Sequence, residues 1–98
     1  MRLKYETKTI NVIDYHVLER FVSEVYKATD YDFVATQEGN NDSQYEFNPS
    51  GIIEEYDSSI AFDIRSGLIK TYQNSVLFNC LVADGHIPSG TYIVKVSW

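Results

Sequence analysis

Apolar and polar positions change period several times along the chain, and each change marks an element. Residues 2–9 alternate, with Leu3, Tyr5 and Thr7 on one side and Arg2, Lys4, Glu6 and Lys8 on the other. That is the pattern of a half-buried strand with a charged outer face. From Asp14 the period becomes helical: Leu18, Phe21, Val22 and Val25 form an apolar stripe, with Glu19, Arg20, Ser23, Glu24 and Lys27 opposite. Asp14 is placed to cap the first turn, and Arg20 with Glu24 makes an i,i+4 pair.

Tyr31, Phe33 and Ala35 then alternate with Asp32, Val34 and Thr36, which predicts a second strand. Residues 38–43 (Glu-Gly-Asn-Asn-Asp-Ser) have loop chemistry, and Asn40, Asn41, Asp42 and Ser43 are expected to form an exposed turn. Tyr45 and Phe47 flank Glu46 as a short third strand, paired as a hairpin with the second and broken by Asn48-Pro49-Ser50-Gly51. Residues 52–66 satisfy two periods. Ile60, Phe62 and Ile64 alternate as in a strand, while Tyr56, Ile60 and Ile64 sit at helical spacing. Helix is the working expectation, with Asp57 or Ser58 as cap and Gly67 as terminator.

Residues 75–83 are apolar on nearly all sides and stop at Gly85, which predicts a short buried helix. Ile87-Pro88-Ser89-Gly90 suits a tight turn. Tyr92, Val94, Val96 and Trp98 alternate with Thr91, Ile93, Lys95 and Ser97 as a final strand, its first set facing the core. The order β-α-β-β-α-α-β gives one α+β domain over residues 1–98. Two or three helices pack on one face of a mainly antiparallel four-stranded sheet, and the other face, with Lys4, Lys8, Asp32, Thr36 and Lys95, stays wet.

Composition adds a solvent-facing asymmetry. The formal charge of −6 conceals a segregation: residues 28–64 hold nine of the 14 acids and none of the eight lysines and arginines. Such a field steers partners at a distance. Direct nucleic-acid binding is disfavoured, because phosphate neutralisation needs clustered basic residues. No apolar run is long enough for a bilayer, and the opening residues do not resemble a signal peptide. A membrane role is therefore not expected.

Dedicated chemistry is not visible. Cys80, the only cysteine, lies in an apolar run and suits a small core residue. Glu38-x-Asn40-x-Asp42 begins like a calcium loop, but Ser43 and Pro49 stand where glycine and glutamate are required. His16 and His86 have no partner at zinc-site spacing. Glu6-x-Lys8 is a fragment of a nuclease-like pattern without its upstream acid. There is no phosphate-binding glycine loop and no nucleophile elbow. The expectation is a non-enzyme without cofactor or metal.

Three stretches carry a resemblance: the closing run Leu77–Trp98, Tyr31-Asp32-Phe33-Val34-Ala35 followed by Asn41-Asp42-Ser43, and Lys4-Tyr5-Glu6-Thr7-Lys8. Together they resemble small uncharacterised proteins of tailed bacteriophages, over nearly the whole chain. The chain departs from them before Asn41, where Gln37-Glu38-Gly39-Asn40 replaces a more usual Glu-Cys-Gly. The resemblance implies a phage origin, a cytoplasmic place in an infected bacterial host, and a binder rather than a catalyst.

Charge and resemblance together predict an accessory protein that inhibits or redirects a host protein with a basic surface. The expected contact residues are Glu38, Asn40, Asn41, Asp42, Ser43, Glu46, Glu54, Glu55 and Asp57. A mimic of nucleic-acid charge, acting on a nuclease or DNA-binding complex, is the alternative. A small hydrolase using two clustered carboxylates is a third reading, and a homodimer is also open.

Overall fold

A computed structural model describes residues 10–33, 43–70 and 73–97. Strand β1 spans Ile10–Asp14 and helix α1 Tyr15–Tyr26. Asp14 Oδ1 accepts from the His16 N–H at 2.8 Å, so the cap forms as its position suggested. Tyr15, Leu18, Val22 and Tyr26 are the buried stripe, while Phe21 and Val25 are half-buried against the core edge. The Arg20–Glu24 pair is not among the ion pairs of the described residues; those are His16–Glu19 and Arg65–Asp84. The strand expected over residues 2–9 lies outside the described residues.

Strand β2 spans Ser43–Phe47, helix α2 Ser58–Arg65, helix α3 Asn74–Ala83 and strand β3 Thr91–Val96. The class is α+β, and among the described residues the sheet has three strands in the order β1-β3-β2, not the four expected of the whole chain. It is mixed: β3 runs parallel to β1 and antiparallel to β2. Tyr31 and Phe33 are not in a strand, and among the described residues the partner of β2 is β3. Of the expected second strand, residues 34–36 lie outside the described part.

Tyr31 and Phe33 are nevertheless buried, because their alternation serves the core without a ladder. Phe33 meets Tyr45 and Phe47 edge-on, with ring centroids 5.8 and 6.3 Å apart. Phe47 stacks on Phe78 at 4.6 Å, and Phe78 leans on Tyr92 at 5.6 Å. These rings join the strand layer to α3. The register places Asn11 and Ile13 beside Tyr92 and Val94, and Tyr45 and Phe47 across from Val94 and Tyr92. The reverse face carries Val12, Ile93 and Glu46 side by side, with Lys95 exposed, and Val12 is 59% exposed there.

Residues 58–65 are helical, which resolves the doubled period in favour of helix. A 3-10 turn, Glu55–Asp57, leads in. Asp57 occupies the cap position but makes no side-chain capping bond, contrary to expectation. Ser58 Oγ instead donates to the Glu55 carbonyl at 2.8 Å.

Gly67 ends α2 at φ 86°, as expected. Its N–H reaches the Ile64 carbonyl and that of Leu68 reaches Asp63, the paired bonds of a Schellman close. The same two bonds recur after α3, from Gly85 to Val82 and from His86 to Leu81. Residues 86, 87, 89 and 90 are bends, so the chain turns where a tight turn was expected. Tyr92, Val94 and Val96 face the core as expected, whereas Trp98 lies outside the described residues. Cys80 is fully buried, and burial pushes its thiol up, as suits a packing residue.

Candidate functional site

The acidic stretch is split by the fold. Ser43 opens β2 half-buried, and Glu46 is exposed on the sheet face away from the helices, where its Oε2 accepts from Asn48 Nδ2 at 3.1 Å. Glu54 and Glu55 are exposed in the helical layer, and Asp57 is half-buried at the entry to α2. Glu46 therefore does not join Glu54, Glu55 and Asp57 in one face. Glu38, Asn40, Asn41 and Asp42 lie outside the described residues.

Around Glu54 and Glu55 the structure adds side chains that periodicity had assigned elsewhere. Ile53, Ile60, Ala61 and Ile64 pin this segment to the core. Ile52, Tyr56 and Phe62 are consequently turned outward, at 63%, 80% and 69% exposure. Tyr56 had counted with Ile60 and Ile64 as a helical stripe. The 3-10 turn rotates it off that stripe. Ile52, Tyr56 and Phe62 fall along one short stretch of chain that also holds Glu54, Glu55 and Asp57, and exposed large apolar side chains with charge among them are candidates for contact.

A second feature was not legible in the sequence. A cleft of about 550 Å³ opens between the start of α1 and residues 30–32, lined by Tyr15, His16, Glu19, Asp30, Tyr31 and Asp32. Glu19 Oε2 accepts from the Phe33 N–H at 2.8 Å, and its Oε1 lies 3.9 Å from His16 Nδ1. Burial raises the Glu19 carboxyl above its usual range, and a bond shared with the Asp32 carboxyl raises it further; the Phe33 amide and His16 oppose both. The Tyr31 hydroxyl leaves the cleft to donate to Asn74 Oδ1 at 2.6 Å. Helical spacing had put Glu19 on the solvent face of α1. It is half-buried because residues 30–33 fold back over that face.

Away from both features, Tyr26, Arg65 and Asp84 tie the ends of α1, α2 and α3 together. The Tyr26 hydroxyl donates to Asp84 Oδ2 at 2.8 Å, and its ring meets His86 edge-on at 5.4 Å. Among the described residues no group of three or more His, Cys, Asp or Glu side chains converges as metal ligands, and no helix is long and apolar enough to cross a membrane. Comparison with protein-family models, curated proteins and solved structures returned no match.

Proposed function

We propose that this chain is a protein-binding accessory module that docks onto a basic partner through the outer surface of residues 52–62. The observation that carries this reading is the exposure of Ile52, Tyr56 and Phe62 beside Glu54 and Glu55. The apolar side chains supply desolvated contact, and the carboxylates supply steering and register. The absence of any lysine or arginine over residues 28–64 supports a basic partner, since no cation of this stretch offsets its field. The resemblance to small phage proteins points to a bacterial host protein that is inhibited or redirected.

Affinity capture from bacterial lysate, run in parallel with the chain and with the double variant Tyr56→Ala, Phe62→Ala, tests the reading. A protein retained by the chain and lost with the variant is the expected result. Equal retention by both, or no protein retained above the bare matrix, would overturn it.

A further inference from the structure

We propose that the peptide between Asp84 and Gly85 is a latent isomerisation site, which the Arg65 and Tyr26 side chains keep closed in the folded chain. The site lies apart from the docking surface at residues 52–62 and does not rest on that reading. Of the five glycines, only Gly85 follows an aspartate or asparagine.

That pairing sets up a reaction of the chain with itself. The Gly85 nitrogen attacks Asp84 Cγ and a C–N bond forms. One carboxyl oxygen leaves as water, taking the amide proton and the acid proton. The succinimide ring then takes water back. Opening at the Cγ carbonyl restores the original link, and opening at the main-chain carbonyl leaves Gly85 joined through Cγ, an isoaspartyl link. Water is the only co-reactant, and the mass is unchanged. A side chain on the following residue would crowd the attacking nitrogen. Glycine has none, and a Cβ at Gly85 would meet nothing within 4 Å beyond its chain neighbours.

The folded geometry opposes the attack. Arg65 holds the two carboxylate oxygens at 2.9 and 2.7 Å, and the Tyr26 hydroxyl adds a third bond at 2.8 Å. These bonds fix the direction of Cγ from two other helices. The Gly85 N–H donates to the Val82 carbonyl at 3.1 Å. Asp84 sits at ψ 1°, which eclipses the Gly85 nitrogen with the Asp84 main-chain nitrogen and turns it away from Cβ. Ring closure needs that nitrogen on the Cβ side. Arg65 also favours the ionised carboxylate, the poorer acceptor of a nucleophile. The backbone restraints give way together whenever the end of α3 frays, and the side-chain grip ties that end to α1 and α2. An isoaspartyl link adds a methylene to the main chain at residue 84. It would displace Gly85 and His86 from the Val82 and Leu81 carbonyls that close α3.

Peptide mapping with fragmentation that separates aspartyl from isoaspartyl links tests the site, after prolonged warm incubation near neutral pH. The folded chain should stay near background at Asp84, whereas the chain unfolded in denaturant should accumulate the isoaspartyl form. Arg65→Gln, folded by circular dichroism, should accumulate it roughly fivefold faster than wild type, the scale of one charge-assisted tie partly open to solvent. Tyr26→Phe should raise the rate less. Asp57-Ser58 in the same chain is the reference, because general unfolding raises both positions. Equal accumulation in folded and unfolded wild type, none in the unfolded chain, an unchanged rate in folded Arg65→Gln, or a proportional rise at Asp57 would overturn the proposal. Should Arg65→Gln fail to fold, Tyr26→Phe and the folded-against-unfolded comparison decide it.

Discussion

Arg65 grips both oxygens of Asp84, with Nε 2.9 Å from Oδ2 and a terminal guanidinium nitrogen 2.7 Å from Oδ1. The two side chains leave the ends of α2 and α3, and Tyr26 from α1 donates to the same carboxylate. Bidentate geometry fixes the angle between the helices as well as their distance. The Arg65 side chain is 42% exposed, so the worth of the pair is discounted by solvent.

Asp84→Asn should therefore cost about 1 kcal/mol at neutral pH, between the values for charge-assisted and exposed pairs. The Arg65 guanidinium holds the Asp84 carboxyl below its ordinary value of 3.8, with Tyr26 adding to the effect. The sign follows from linkage. The stabilisation is full above the unfolded carboxyl value and is lost as pH falls through the lower native one. Denaturant titrations between neutral pH and about pH 2 should show the two proteins converging in acid.

Glu19 should behave in the opposite sense. Its native carboxyl is raised by burial and then by the Asp32 carboxyl, above the ordinary 4.5. A raised acid binds its proton more tightly when folded, so stability falls as pH rises from the ordinary value through the raised one. The groups facing it are His16 and Tyr15 on α1 and Asp30, Tyr31 and Asp32 opposite. Glu19→Gln should flatten that decline. A decline of equal slope in wild type and variant would assign it to other groups.

Gly51 adopts φ 81°, and a Cβ there would lie 2.8 Å from Val82 Cγ1. The neighbouring backbone is tethered, because Asn79 Oδ1 accepts from the Ser50 and Gly51 amides at 3.0 and 3.3 Å. Gly51→Ala should pay a left-handed penalty of roughly 1–2 kcal/mol plus an overpacking cost of about 1–3 kcal/mol. Gly85 shares the φ of 81° with nothing within 4 Å of its Cβ position. Gly85→Ala should show the first cost alone, and the difference in denaturation midpoints between the two variants reads the Val82 contact.

Local pattern was informative where one element decided the burial. Leu18 and Val22 lie on one stripe behind the Asp14 cap, and Val94 and Val96 alternate correctly, since these features need only a period and a face. Pairing partners are not encoded locally. Tyr31 and Phe33 alternate in burial as a strand would without lying in one, and the described partner of β2 is β3, more than 40 residues away along the chain. Parallel pairing of β1 with β3 has the same non-local origin. At the candidate sites, charge segregation was visible in composition. The outward turn of Tyr56 depends on a 3-10 entry, and the meeting of Glu19 with Asp32 depends on the fold-back of residues 30–33, neither of which leaves a periodic trace.

Charge reversal at the proposed docking surface should spare the fold. Glu54 and Glu55 are exposed, so Glu54→Lys with Glu55→Lys should change stability by no more than about 0.5 kcal/mol each. Asp57 is half-buried at the start of α2, and its reversal should cost an additional ~0.3–1 kcal/mol through the helix dipole. A melting curve for the double variant against the triple variant checks this ordering.

The association rate of the captured partner, measured across a salt series, tests the docking claim most directly. Steering by the acidic surface predicts a wild-type rate that falls steeply as salt rises, because screening shortens the reach of the field. The Glu54→Lys, Glu55→Lys protein should associate more slowly at low salt and converge on wild type at high salt. A folded double variant with the wild-type rate and the wild-type salt slope would contradict the account.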